Sequence, residues 1–383
     1  MRTSWANESL PFVKLSSAKT PHHTSRKRPA SMRGRGLALV TGGAGFIGSH
    51  LVDRLVSEGW RVRVLDNFST GRLENIKHHV DGREVEVVKG DLKDLEVVKS
   101  AVEGVDVVFH FAANPEVRVS TTNPEIHFNE NVVATFNLLE AMRREGVREL
   151  VFASSSSVYG EPDEIPVNEE APVRPVSVYG ASKAACESLI HAYSKLYGVR
   201  AVVLRYANVV GPRLKHGVVY DFVVKLRKSP SELEVLGDGK QVRSYVHVED
   251  AIEAAMIAWR KSANAFEVYN VASEDWMTVD DVADEVIKAV GLRAVRKVYR
   301  PVLHGVGWPG DVKRVALRID KLKALGFKPS MSSREAVRAT AKRLVEELVH
   351  NGLAGRASSV RQGHCHAERT KEAMRDELDV EDY

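Results

Sequence analysis

A glycine-rich turn constrains this chain more than any other feature. The run TGGAGFIG spans Thr41 to Gly48, directly after the apolar stretch LALV and overlapping a helical pattern from Phe46 to Glu58. Read from Gly43 it satisfies G-x-G-x-x-G; read from Gly42 it satisfies G-x-x-G-x-x-G. Glycines at this spacing let a strand turn tightly into a helix whose first amides approach a pyrophosphate closely. The motif alone is weak evidence. Its place between a strand and a helix predicts a dinucleotide site.

The pattern then repeats. Strand signals recur at 60–66, 85–91, 105–113, 150–156 and 199–209, with helical segments between most of them. This alternation predicts an α/β fold: a Rossmann-type, doubly wound parallel sheet with helices on both faces. After residue 211 the pattern loosens. Short strands are expected at 233–236 and 266–271, and helices near 218–228, 249–260, 278–290, 320–325 and 331–350. These point to a smaller C-terminal substrate-binding lobe laid across the sheet edge. The expected organisation is a basic arm at 1–35, a mainly dinucleotide-binding domain at 36–210, a mainly substrate-binding lobe at 211–350 and a polar tail at 351–383.

Composition adds limits. With 383 residues, 44% of them hydrophobic, the chain can bury a large core. Its net charge of +4 is concentrated in the arm, where eight Lys and Arg residues face only Glu8 before residue 36. That is weak support for a nucleic-acid partner, and none is expected. No stretch has the length of a membrane helix, and the first 30 residues lack the apolar core of a secretory signal. Cys186 and Cys365 are too far apart for a C-x-x-C motif, so a reducing, cytoplasmic setting is the simpler expectation. His364 and His366 flank Cys365, but their spacing is too poor to define a site. No metal is expected.

Asp66 ends the second strand. A carboxylate there accepts both hydrogen bonds of an adenosine ribose diol and repels a 2′-phosphate, which favours NAD over NADP. Asp91, followed by Leu92, ends the third strand, where it could receive an adenine amino group or simply meet solvent. Ala112 and Ala113 leave room for dinucleotide at the end of the fourth. Tyr179 and Lys183 stand four apart in YGASK and share a helix face. An ammonium near a phenol lowers its pKa, so Tyr179 can take and return a hydroxyl proton. Ser155 closes a parallel strand and can bind the same oxygen.

These segments resemble the extended short-chain dehydrogenase/reductases, and among them most closely the UDP-glucose 4-epimerases. The resemblance covers about residues 36–330 and rests on TGGAGFIGSHLVDRL, LDNFSTG, GDLKD, HFAA, NVVATFNLLEA, SSSSVYG, YGASKAACE, RYANVVGPR and GDGKQVRSYVHVEDA. It implies that NAD lies against Gly42, Gly45, Phe46, Ile47, Gly48, Asp66, Asn67, Ser69, Asp91, Leu92, Phe111, Ala112 and Ala113, with Tyr179 and Lys183 at its nicotinamide end. Asn131 would order the cofactor side. It implies catalysis by Ser155, Tyr179 and Lys183: hydride leaves C4 of a UDP-sugar, the 4-keto sugar turns, and hydride returns to the other face. UDP-galactose and UDP-glucose would thus interconvert. Asn208, Arg243 and the segment Gly217-Val218-Val219 would hold the substrate, although Arg243 could also form a surface ion pair. Homodimerisation would use residues 129–145 and 178–197.

Related reactions are separated by chemistry. A 4,6-dehydratase resembles this chain but carries Asp-Glu directly after the catalytic hydroxyl residue; here Ser156 and Ser157 follow Ser155. The same positions weigh against decarboxylation. UDP-glucuronate and UDP-N-acetylhexosamine remain as alternative 4-epimerase substrates. A non-catalytic NAD-binding protein is disfavoured by the intact Ser155, Tyr179 and Lys183. One position departs from the family pattern: Trp308 stands before Pro309-Gly310-Asp311, where an arginine is common.

Overall fold

The computed structural model describes residues 36–348. The basic arm and the polar tail, with Cys365 and its flanking histidines, lie outside them. The chain enters the sheet as β1 (Leu37–Thr41), turns into α1 (Phe46–Ser57) and returns as β2 (Arg61–Asp66). A short α2 (Lys77–Asp81), β3 (Val85–Lys89), α3 (Leu95–Val102) and β4 (Val107–His110) complete the first half. One turn of α4 (Glu125–His127) runs through a π-helical segment at Phe128–Val133 into α5 (Ala134–Glu145). Then come β5 (Glu149–Ser155), α6 (Val178–Tyr197) and β6 (Arg200–Tyr206).

The lobe begins with β7 (Asn208–Val210), α7 (Val218–Lys228), β8 (Glu232–Leu236), β9 (Val242–Arg243) and β10 (Tyr245–His247). After α8 (Val248–Lys261) and β11 (Phe266–Val271) come β12 (Met277–Thr278), α9 (Val279–Val290), β13 (Arg296–Arg300), β14 (Arg314–Val315) and α10 (Asp320–Ala324). A last helix, α11, covers 333–348.

The main sheet has seven strands in the order β11-β6-β5-β4-β1-β2-β3, every pair parallel. Six of them follow the doubly wound dinucleotide-binding order. Residues 266–271, expected in the lobe, belong instead to this sheet, pairing from Phe266↔Ala201 to Val271↔Tyr206. The crossover helix α8 packs on α1. The lobe elements β7 to β10 are inserted between β6 and α8, and that insertion hides the β-α-β period in the sequence.

Side-chain alternation sorts the core. On β1, Ala38 and Val40 join Leu51 and Leu55 of α1 and Ala255 and Met256 of α8. Leu37 and Leu39 face the other way, towards Val98 of α3, Leu138 and Met142 of α5 and Ile190 of α6. A separate cluster holds the lobe, with Phe222 and Leu226 of α7, Val282 and Val286 of α9 and Leu344 of α11. Helix ends follow local chemistry. The Ser177 hydroxyl accepts from the Gly180 N–H to start α6, and Gly198, at φ +68°, ends it. Thr278 and Asp281 form a reciprocal capping box on α9.

Behind the strand ends lies a buried ion pair. Arg205 of β6 reaches Glu187 of α6 at 2.7 Å, with both side chains less than a tenth exposed. The Ser154 hydroxyl donates to the same carboxylate, while Arg205 also donates to Tyr159 Oη, which donates to Asn270. The network fastens α6, the Tyr179 helix, to the sheet. Removing one partner strands a charge, which costs about 3–5 kcal/mol at a buried pair. Glu187→Ala should therefore lose stability on that scale in urea unfolding. A loss below about 1 kcal/mol would mean that the pair does not anchor the helix.

Candidate functional site

The parallel register brings the carboxyl ends of the strands to one rim, where α/β sheets bind ligands. Thr41 pairs with His110, Asp66 with Lys89 and Ser155 with Tyr206. A cavity of about 1050 Å³ opens there, between the sheet rim and the lobe.

The glycine turn forms one end. Gly42 has φ +68°, and a Cβ on it would lie 2.8 Å from the Ala112 backbone. A Cβ on Gly48 would lie 2.2 Å from the Gly42 carbonyl oxygen. Only glycine allows the first turn of α1 to come this close. No side chain among the described residues caps α1, so its first amides are available to a phosphate.

Asp66 is buried at the end of β2. Its carboxylate accepts from Ala44 N–H at 3.0 Å and Phe68 N–H at 2.8 Å. Burial raises its pKa and these two bonds oppose the rise. Asp91 lies further along the rim, accepting from Lys93 N–H at 2.8 Å and the Asn67 amide at 3.2 Å. Desolvation pushes its pKa up, but these bonds and the Lys93 charge outweigh it and hold the carboxyl low. Asn67, Ser69, Leu92, Phe111, Ala112 and Ala113 line the same half, with Gly45, Phe46 and Ile47. A cradle that a Cβ would fill, uncapped amides and an acceptor at the β2 end fit a dinucleotide of the NAD type.

Asn131 is the exception among the expected cofactor residues: it is buried in the wall and does not line the cavity. In the π-helical segment its Oδ1 accepts from Asn114 N–H at 3.0 Å and its amide donates to the Ser182 hydroxyl at 2.8 Å. It ties the loop after β4 to α6, which is an ordering role.

Ser155, Tyr179 and Lys183 all line the cavity, with the Ser155 hydroxyl beside the Tyr179 phenol. Burial pushes the Tyr179 phenol up to about 12, and the Ser155 hydroxyl beside it pulls the other way. Lys183 is buried and brought down to about 8 by desolvation, against the Cys186 thiol and Glu187 carboxylate, which raise it. Its ammonium donates to the Ala153 carbonyl at 2.8 Å and lies 4.9 Å from the Phe152 ring centre. This corrects the expectation of a phenol already lowered by lysine. Burial dominates, so at neutral pH Tyr179 is protonated. Ser155 Oγ accepts from Ser157 N–H at 3.2 Å and from Ser157 Oγ at 2.9 Å.

Beneath these groups His110 bridges Thr41 Oγ1 at 2.7 Å and Thr135 Oγ1 at 3.0 Å. Burial, then the Lys183 charge, drive its pKa down to about 3, so it is neutral. This histidine opens the HFAA segment, but nothing in its local spacing singles it out.

The lobe supplies the other wall. Asn208, Gly217, Val218, Val219 and Arg243 all line it. The N-terminus of α7 at Gly217 faces the cavity without a side-chain cap. Arg243 is engaged: it pairs with Asp311 at 2.8 Å and donates to the Val242, Lys313 and Val312 carbonyls. Several lining residues were not anticipated, including Glu116, Arg118, Arg213, Lys215 and His216. Each follows a rim strand in sequence, at NPEVR after β4 or GPRLKH after β7; loop position was the available signal. Trp308 also lines the cavity, and its buried indole N–H has no hydrogen-bond partner among the described residues.

The Lys183 shift has a measurable consequence. Unfolded, this lysine keeps its proton up to about pH 10.5; folded, only to about pH 8. The group therefore disfavours folding most below pH 8, and the penalty fades as pH rises towards 10.5. Lys183→Met should gain stability relative to the unsubstituted chain at about pH 7. That advantage should shrink by on the order of 3 kcal/mol by about pH 10.5. Urea unfolding at both pH values checks it; an unchanged difference would remove the buried ammonium as the cause.

Known proteins share this fold. The UDP-glucose 4-epimerase of Mycolicibacterium smegmatis is 35% identical over 311 residues, covering 79% of this chain and 96% of that protein. A crystal structure of a UDP-galactose 4-epimerase is 50% identical with a TM-score of 0.73, covering 82% of this chain and 99% of its own. The Thermus thermophilus UDP-glucose 4-epimerase, solved in complex with NAD, is 38% identical with a TM-score of 0.72, covering 80% of this chain and 98% of its own. The family model matches residues 38–272, from β1 through the edge strand β11. With the glycine cradle, the β2 carboxylate and the Ser155–Tyr179–Lys183 cluster on one rim, the chain belongs to the NAD dependent epimerase/dehydratase family.

Proposed function

We propose that this protein is a UDP-glucose 4-epimerase that interconverts UDP-galactose and UDP-glucose. The observation that carries the proposal is the convergence of Ser155 and Tyr179 between a dinucleotide cradle and a second, lobe-lined half of the same cavity. Bound NAD supplies a reversible two-electron acceptor for the sugar C4. Tyr179 Oη takes the 4-hydroxyl proton and returns it to the same oxygen after the 4-keto sugar has turned. Ser155 Oγ holds that oxygen through both halves of the cycle. Lys183 is the cation on the same helix face that favours the phenolate once its ammonium moves from Ala153 towards Oη.

Hydroxyl side chains at Ser156 and Ser157 favour epimerisation over dehydration, since removing a carbon-bound proton calls for a carboxylate base. The substrate diphosphate would lie between the α7 N-terminus and Arg243, with Asn208 against the sugar or diphosphate. The cavity, about 1050 Å³, stands at the upper end of the roughly 300–1,000 Å³ of small-molecule sites, in keeping with a cofactor and a substrate side by side.

The proposal extends to a homodimer built on α5 and α6. Phe128 (57%), Phe136 (46%) and Leu196 (71%) are exposed on or beside these helices, and apolar exposure of this kind favours self-association. No helix among the described residues is long and apolar enough to cross a membrane, and the proposed setting is cytoplasmic.

Incubating the protein with UDP-galactose and NAD should give UDP-glucose up to an equilibrium mixture, resolved by chromatography. Tyr179→Phe should lower the rate about 10²–10⁴-fold while still binding NAD. No conversion by the unsubstituted chain would overturn this substrate pair, and UDP-glucuronate and UDP-N-acetylhexosamines would be tried next.

A further inference from the structure

A second cluster of chemistry-bearing side chains lies outside the mechanism. Asp53 projects from α1, and His78 and His79 are neighbours on α2. Their ligand atoms all lie within 4.8 Å of one another. Asp53 Oδ1 is 2.9 Å from His79 Nε2 and 3.3 Å from His78 Nε2. The imidazole rings lie side by side, with centroids 4.0 Å apart.

We propose that Asp53, His78 and His79 form a binding site for a divalent transition metal such as Zn²⁺. Two imidazole nitrogens and one carboxylate oxygen are the ligand set of many zinc sites that keep an open position. Donors about 2.0–2.1 Å from a tetrahedral ion stand roughly 3.3–3.4 Å from one another. The two separations from Asp53 Oδ1, 2.9 and 3.3 Å, are close to that spacing, and the two imidazole nitrogens lie within 4.8 Å of each other. His78 is 55% exposed and His79 17%, which leaves solvent to supply the fourth ligand.

The surroundings fit the same reading. Arg213 holds the other carboxylate oxygen of Asp53 at 2.9 Å, and Arg213 is itself bonded to Ser49 Oγ at 3.0 Å. A carboxylate with one oxygen fixed by a donor and the other turned to two imidazoles is oriented as metal-binding carboxylates are. Sequence spacing could not show this site, because Asp53 comes from a different helix. Arg213 also lines the main cavity, so the ion would join α1, α2 and the cavity wall.

The test uses the full chain, freed of metal, titrated with Co²⁺. One equivalent should give the intense visible bands of tetrahedral cobalt, displaced by Zn²⁺. Asp53→Asn and His79→Gln should each weaken binding at least about tenfold. Absence of tetrahedral bands overturns the proposal. So do bands unchanged in the His78→Gln/His79→Gln double variant, which would move the site elsewhere, including to His364, Cys365 and His366. A readout independent of variants is acylation by diethyl pyrocarbonate mapped by mass spectrometry. One equivalent of Zn²⁺ should protect His78 and His79 in the unsubstituted chain, and unchanged labelling would overturn the assignment.

Discussion

The contact between the first turn of α1 and the Gly42 carbonyl is the constraint on which the cofactor half depends. A Cβ at Gly48 would come to 2.2 Å of that oxygen, so a side chain there would push α1 off the sheet. With glycine in place, Gly42 N–H bonds the Leu65 carbonyl at 2.8 Å and Gly45 N–H bonds the Gly42 carbonyl at 3.0 Å. The turn is thereby tied to β2. Asp66 adds to this by accepting from Ala44 inside the turn. The carboxylate proposed to meet a ribose also holds the loop proposed to meet the pyrophosphate. Changing it to suit a 2′-phosphate would therefore disturb two binding elements together.

The half of the cavity around Tyr179 and Lys183 depends on burying charge. Lys183 and His110 sit under the same strand ends, and desolvation drives both towards their neutral forms. His110 yields first, because the ammonium nearby adds to its burial. It becomes a neutral bridge between two threonine hydroxyls. Lys183 keeps its charge at neutral pH at a cost in stability, held by the Ala153 carbonyl and the Phe152 ring face. An ammonium in such a place exerts a field that water would screen. The same burial raises Tyr179, so the resting site holds a protonated phenol and a poorly solvated cation on the same helix.

Local motifs make much of this legible in the sequence alone. The glycine turn, the strand-end Asp66 and Asp91, and YGASK each carry their chemistry within a few residues, and all line the cavity. What could not be read depends on long-range contact. The return of 266–271 to the main sheet was masked by the inserted lobe. Asn131, expected on the cofactor side, lies in a π-helical segment buried in the wall and does not line the cavity. The commitment of Arg243 to Asp311 joins residues 68 apart, and no spacing rule reports it.

That commitment bears on how a diphosphate is held when Trp308 stands where an arginine is common. Four of the cations around the cavity come already paired: Arg243 with Asp311, Arg118 with Glu116, Arg213 with Asp53 and Lys215 with Glu347. Pairing fixes their positions and reduces the net field each presents. The neutral donors are different. The N-terminal amides of α1 serve one half of the cavity and those of α7 the other, both uncapped by side chains. Helix N-termini attract anions through aligned dipoles without a counter-charge to displace. An anion entering this cavity would thus meet uncapped backbone amides at both ends, with side-chain cations around them.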